Sequence, residues 1–286
     1  MGSLCLLSVH AHPDDESSKG AATIHHYAGE GVRCVLVCCT GGEEGDILNP
    51  AMDRPEVRER LAEVRMEELA RATEIIGYSE VVLLGYRDSG MAGTTANAHP
   101  DCFAGADLDE AVGRLVGIIR RERPQVVVTY ADDQQGYPHP DHLRVHDISV
   151  VAFDAAADPG AYPDAGPPWQ PLKLYYSAWA RARLMALHEK FLELGLESPF
   201  DQKWMDRPGL DDRITTRIST AGDDVQRAAL LAHATQIDPS SPFWFGLPPE
   251  VGSAYPYEDF ILARSMVDVA VPEDDLFAGV RDLVSR

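Results

Sequence analysis

The sequence predicts an α/β protein: a Rossmann-like, mostly parallel sheet flanked by helices, with a smaller C-terminal lobe over the site. Three observations lead there. Continuous apolar, β-rich runs recur at Leu4 to Val9, Val32 to Cys39 and Val126 to Tyr130, the mark of strands buried on both faces. Segments with helical spacing alternate with them, as in right-handed βαβ units. Histidine- and carboxylate-rich stretches stand directly after the first of these runs and shortly after the last, and in an open α/β sheet ligands bind beyond the carboxyl ends of the strands.

Taken in order, Leu4 to Val9 is a buried strand and Ser17 to Glu30 a helix capped by Ser17 or Ser18 and stopped by Gly31. Val32 to Cys39 is a central strand, and Thr40 to Pro55 a polar loop. Glu56 to Ile76 places Leu61, Val64, Leu69, Ala72 and Ile76 on one helical face and ends at Gly77. Val81 to Leu84 is a short strand, Gly85 to Gly105 a second long loop, and Leu108 to Arg123 a helix closed by Pro124. After the strand Val126 to Tyr130, a helix opens at Pro140 or Asp141 and runs to about Ala157. Leu172 to Ser177 is a strand and Arg181 to Leu194 a helix. Beyond Gly195 the pattern weakens, leaving Ile214 to Ser219 as a strand and Asp224 to Thr235 as a helix. The expected organisation is a metal-binding core over 1–160, with 161–286 supplying the rest of the sheet and the lobe, as one structural domain overall.

The chain has 286 residues, 45% of them hydrophobic, and a net charge of −21. That suffices for a sizeable core and argues against nucleic acid or an anionic membrane as partner. No apolar run reaches the roughly 18 residues of a membrane span, and Met1 to Val9 lacks the length and basic start of a signal peptide. The five cysteines include no Cys-x-x-Cys pair and read as buried thiols in a reducing cytoplasm. A homo-oligomer is left open. The first strand is not followed by Gly-x-Gly-x-x-Gly, so nicotinamide binding is not supported.

The two loops read His10-Ala11-His12-Pro13-Asp14-Asp15-Glu16 and Gly136-Tyr137-Pro138-His139-Pro140-Asp141-His142. A catalytic zinc site needs three protein ligands and an open position for water. His12 and Asp15, separated by two residues, can grip one ion from a single loop, and His142 can complete the set from the next. Asp14 then stays off the metal as the general base. Two histidines with one carboxylate also suit a non-haem iron(II) oxygenase, but those sites sit on β-barrels. A metal-stabilised binding protein without catalysis is the remaining alternative.

At these residues the sequence resembles the LmbE-like, or PIG-L, family of metal-dependent N-deacetylases. The resemblance rests on His12-Pro13-Asp14-Asp15-Glu16 and His139-Pro140-Asp141-His142, and extends to Thr40-Gly41-Gly42-Glu43, Arg65, Arg87-Asp88-Ser89-Gly90 and His233-Ala234-Thr235-Gln236. Within the family the chain looks most like the actinobacterial mycothiol branch, which holds the S-conjugate amidase and the N-acetylglucosaminyl-inositol deacetylase. The resemblance implies one Zn2+ per chain on His12, Asp15 and His142 (Fe2+ being the alternative), Asp14 as base and then proton donor to the leaving amine, and Tyr137 over the tetrahedral oxyanion. It implies His139 as an aid to substrate or intermediate binding, oriented by Asp141, and Arg65 and Asp88 as contacts to sugar and inositol hydroxyls. An ion pair of Arg65 with Glu67 or Glu68 and a turn-forming role for Asp88 are the plain alternatives. Lys19, in Glu16-Ser17-Ser18-Lys19-Gly20-Ala21, resembles the conjugate amidase and could meet the acyl group, whereas Arg87 to Gly93 looks more like the deacetylase. The implied partner is a small molecule, an acylated glucosamine-type thiol conjugate or glycoside. An antibiotic-pathway sugar deacetylase is a further alternative.

Overall fold

The structure, a computed structural model, describes residues 3–134, 138–200, 210–222, 224–240 and 249–284. Seven strands, β1 (Cys5–His10), β2 (Arg33–Thr40), β3 (Glu80–Tyr86), β4 (Val126–Tyr130), β5 (Lys173–Ala178), β6 (Thr216–Ser219) and β7 (Tyr257–Ser265), form one sheet. Their order is β3-β2-β1-β4-β5-β7-β6. The first five are mutually parallel, while β7 runs antiparallel to both β5 and β6. The sheet is therefore mixed but mostly parallel, as expected. Strand order reverses direction at β1, whose two neighbours are β2 and β4. That reversal opens a crevice above the carboxyl ends of β1 and β4.

Alternation along the central strands feeds two cores. Cys5, Leu7 and Val9 of β1 and Val35 and Val37 of β2 join α5 (Leu108–Glu122) and α6 (Pro140–Ala155) through Val112, Leu115, Ile119, Val145 and Ile148. Leu6 and Cys34 point the other way, into Ile24 and Tyr27 of α2 (Ala21–Gly29) and Ala72 and Ile76 of α4 (Leu61–Ile76). Both faces of the sheet are thus covered, which is why its strands read as unbroken apolar runs.

Helix ends follow local chemistry. Asp107 caps α5 by accepting from the Glu110 amide at 2.9 Å, and Arg123 leaves it at φ 54° before Pro124. His139 caps α6 with its ring: Nδ1 accepts from the Asp141 amide at 3.2 Å, with Pro140 in the first turn. The helix expected over Ser17 to Glu30 is instead two pieces, a single turn α1 (Asp15–Ser18) and α2, broken at Gly20 with φ 100°. The helix expected from Glu56 likewise divides into α3 (Pro55–Arg58) and α4, because Arg60 leaves the helical region at φ −122°, ψ 24°.

The C-terminal third extends the same sheet. After α7 (Arg181–Glu193), β6 and α8 (Val225–Ala232) lie where the sequence placed a strand and a helix. Strand β7 was not expected. Its run carries Glu258 and Asp259, both buried, which break the apolar signature. Lys173 of β5 is wholly buried and its Nζ lies 2.5 Å from Glu273, whose other oxygen accepts from Tyr175 at 2.8 Å and Thr216 at 3.1 Å. A buried carboxylate is tolerated only with such partners, and this one fastens the chain's end onto β5 and β6.

All five cysteines are buried and unpaired. Burial pushes the thiols of Cys5 up to about 11 and Cys34 to about 12, and those of Cys38 and Cys39 well above their ordinary value. No helix among the described residues is long and apolar enough to cross a membrane.

Candidate active site

The crevice above β1 and β4 collects the residues the sequence singled out. His12 lies two residues past β1, Asp14 precedes α1 and Asp15 opens it. His139, Asp141 and His142 form the cap and first turn of α6. Asp15 Oδ2 lies 3.3 Å from His12 Nδ1 and 3.3 Å from His142 Nε2. Zinc–donor bonds of 2.0–2.1 Å in a tetrahedron put neighbouring donors about 3.3–3.4 Å apart, so the carboxylate's spacing to both imidazoles fits that ion. Among the described residues, two groups of three have donor atoms all within 4.8 Å of one another: His12, His139 and His142, and His12, Asp88 and Asp141; the expected set of His12, Asp15 and His142 is not one of them. Two carboxylates face the other side of His12: Nε2 is 3.2 Å from Asp141 Oδ2 and 3.5 Å from Asp88 Oδ1.

This environment sets the charges of the site's side chains. Burial works against a charge on His12, but Asp141, Asp15 and Asp88 outweigh it and raise its pKa well above the ordinary value. Burial likewise opposes ionisation of Asp15, and Lys19 and His142 overcome it, so its carboxyl is held well below the usual range. For His142 burial prevails and holds the ring down at about 4 despite Asp15. Tyr130 stacks on His142 with centroids 4.5 Å apart, and its hydroxyl accepts from the Ala11 amide at 3.0 Å.

Asp14 pairs with Arg65: its backbone sits at φ 109°, and its Oδ2 lies 3.0 Å from Arg65 Nη2. Desolvation raises its pKa and Arg65 opposes the rise. Arg65 is buried on α4. It donates to the carbonyls of Gly42 and Pro13 and to Asp14 Oδ2, and to neither Glu67 nor Glu68. Asp88 is buried beside His12, its Oδ1 accepting from the Gly90 amide at 2.8 Å. Lys19 Nζ lies 2.5 Å from Asp15 Oδ1 and 5.5 Å over the Tyr130 ring. Tyr137 lies outside the described residues.

The Asp141 carboxylate, expected to orient His139, is directed at His12 Nε2 and at Ser89, whose amide donates to Oδ2 at 2.9 Å and whose hydroxyl donates to Oδ1. His139 instead receives the Asp141 amide on Nδ1, which leaves the neutral ring's proton on Nε2. Its ring centroid is 4.6 Å from that of His12. Burial, then the charge on His12, lowers its pKa.

Three members of the site were not assigned roles from the sequence. Ser89 holds Asp141. Glu16 and His233, both wholly buried, form an ion pair with Nε2 2.7 Å from Oε1. Burial disfavours both charges, yet the pairing keeps His233 raised and Glu16 lowered. The clue to Glu16 and His233 was their presence in two motifs far apart in the chain; no spacing could show that they meet.

The family model of the GlcNAc-PI de-N-acetylases, PIG-L, matches residues 7–153. The mycothiol S-conjugate amidase of Streptomyces coelicolor is 47% identical over 98% of this chain and 98% of its own. The chain belongs to the PIG-L family. A second PIG-L relative, the 1D-myo-inositol 2-acetamido-2-deoxy-alpha-D-glucopyranoside deacetylase of Geodermatophilus obscurus, is 42% identical over 96% of this chain and 97% of its own. Among solved structures, the N,N'-diacetylchitobiose deacetylase of Pyrococcus horikoshii shares the fold with a TM-score of 0.63, at 16% identity, over 91% of this chain and 84% of that one. The curated PIG-L relatives named here are thus an amidase and a deacetylase, both hydrolytic enzymes by name.

Proposed function

We propose that this protein hydrolyses an N-acyl bond on a glucosamine-containing small molecule with the aid of zinc, in a reaction of the mycothiol S-conjugate amidase type. The observation that carries the reading is the division of labour between adjacent carboxylates: Asp15 Oδ2 stands 3.3 Å from both His12 and His142, while Asp14 turns to Arg65. A relative 47% identical over 98% of this chain is named for that reaction.

His12, Asp15 and His142 would hold the ion. When bound, zinc supplies Lewis acidity, polarising a carbonyl and acidifying water toward neutral pH. Asp14 takes the proton of the attacking water as general base and later delivers it to the leaving amine, which cannot depart as an anion. His139, with a proton on Nε2, and Tyr137 are the donors assigned to the developing oxyanion. Arg65 and Asp88 carry the sugar and inositol contacts in this reading, and Lys19, at the site's mouth, the acyl contact. The expected setting is the cytoplasm.

A purified, zinc-loaded sample offered N-acetylglucosaminyl-inositol, a mycothiol S-conjugate and an acylated aminoglycoside, with free amine as the readout, tests the proposal. Fastest turnover of the conjugate is expected. Preference for N-acetylglucosaminyl-inositol would move the assignment to the deacetylase reading, which the 42% identical relative favours. No amine from any of the three would end the hydrolase reading.

A further inference from the structure

The backbone of Asp14, at φ 109°, ψ −25°, is one that a residue with a Cβ holds at a cost of about 1–3 kcal/mol, and only where its surroundings over-determine it. Three sets of contacts do so. The Asp14 carbonyl accepts from the amides of Ser17 and Ser18 at 3.1 and 3.0 Å. Arg65 grips the Pro13 carbonyl and the Asp14 carboxylate. The Asp14 amide donates to Glu16 Oε2 at 2.9 Å.

The third contact depends on a residue more than two hundred positions away. Glu16 is wholly buried; its Oε1 accepts from Ser17 Oγ at 2.5 Å and faces His233 Nε2 at 2.7 Å. His233 follows the last turn of α8, which packs on α1, α2 and α4. Two residues on, Thr235 donates through its amide and hydroxyl to Glu68 of α4 at 2.8 and 2.6 Å. The end of α8 therefore holds both elements that hold Asp14: α1 through Glu16, and α4, which carries Arg65. Without His233 Nε2 beside Oε1, the Glu16 side chain loses the contact that fixes its orientation, and the Asp14 amide loses a fixed acceptor on Oε2.

We infer that His233 and Glu16 are positioning residues for Asp14, relaying the packing of the C-terminal helix α8 to the aim of the proposed base. The inference rests on the reading of Asp14 as that base. Misplacing a reacting group by about 1 Å costs on the order of 100-fold in rate, and that sets the scale.

The test compares zinc-loaded wild type with Asp14→Ala, His233→Ala, His233→Gln and Glu16→Gln, following free amine, zinc per chain and hydrogen exchange. His233→Ala is expected to keep its zinc and a KM within about twofold, to lose roughly 10–100-fold in kcat, and to exchange the amides of residues 12–18 faster. His233→Gln, whose amide nitrogen can stand where Nε2 stands, is expected to recover most of that loss. Wild-type kcat in folded His233→Ala, a loss confined to KM or zinc content, or failure of the glutamine to restore activity would each overturn the inference. Should His233→Ala not fold, Glu16→Gln carries the test, and a folded Glu16→Gln with wild-type kcat overturns it. Full turnover by Asp14→Ala removes the base reading and the positioning role together; a dead Asp14→Ala beside a fully active His233→Ala removes only the latter.

Discussion

His12 and Asp141 meet across the crevice with Nε2 and Oδ2 3.2 Å apart, one from the loop after β1 and the other from the first turn of α6. The contact fixes which nitrogen of His12 is left to face Asp15. A carboxylate in that place also makes the ring a better donor to a metal.

Asp141→Asn is accordingly expected to weaken zinc binding by about 10–100-fold while the fold persists. Competition against a chromophoric chelator measures it, and an unchanged zinc affinity would show that the carboxylate does not tune the ligand.

Asp14→Ala addresses the chemistry instead of the ion. Turnover should fall by about 100–10,000-fold, the usual worth of a positioned proton-transfer group, with one zinc per chain retained. Metal analysis beside a free-amine assay separates the two effects. Equal loss of zinc and activity would make Asp14 a ligand.

Gly42 tests the support of Arg65. It sits at φ 65°, and a Cβ there would lie 2.3 Å from Arg65 Nη1. Gly42→Ala should push the guanidinium off Pro13 and Asp14, add backbone strain of about 1–3 kcal/mol, and lower kcat more than it raises KM. A variant with wild-type melting temperature and kcat would show that the guanidinium moves aside at no cost.

The pair between Asp275 and Arg281 sets a pH dependence away from the site. Burial would raise the Asp275 carboxyl, but bonds from Arg281, the Phe277 amide and Tyr27 outweigh it and hold its pKa below the ordinary carboxylate value. A lowered folded-state pKa means that this stabilisation is complete above the unfolded value near 3.8 and is lost as pH falls through the folded one. Urea denaturation of wild type and Asp275→Asn should therefore differ at pH 7 and converge in strong acid. A constant difference across that range would contradict the assignment.

The parallel half of the fold and both loops were legible because each strand is buried on two faces and each loop interrupts such a run with imidazoles and carboxylates. What stayed hidden depends on distance along the chain. Strand β7 buries Glu258 and Asp259 in the middle of the sheet's far side, and no local pattern announces a strand with charged residues inside. The ring of His139 capping its own helix could have been read from His139-Pro140-Asp141, since a cap acceptor followed by proline is a helix start. The turn of the Asp141 carboxylate toward His12 and Ser89 could not, because it joins three segments. The break at Gly20 was visible as a glycine but not as a left-handed one.

The sequestered sulfurs have an operational consequence. Only a thiolate attacks an electrophile at a useful rate, and four of the five cysteines are both out of reach and held protonated. A chain whose fold hides its own nucleophiles can work among alkylating compounds without being consumed by them, and any label it does acquire at Cys5, Cys34, Cys38 or Cys39 counts the molecules that had come open.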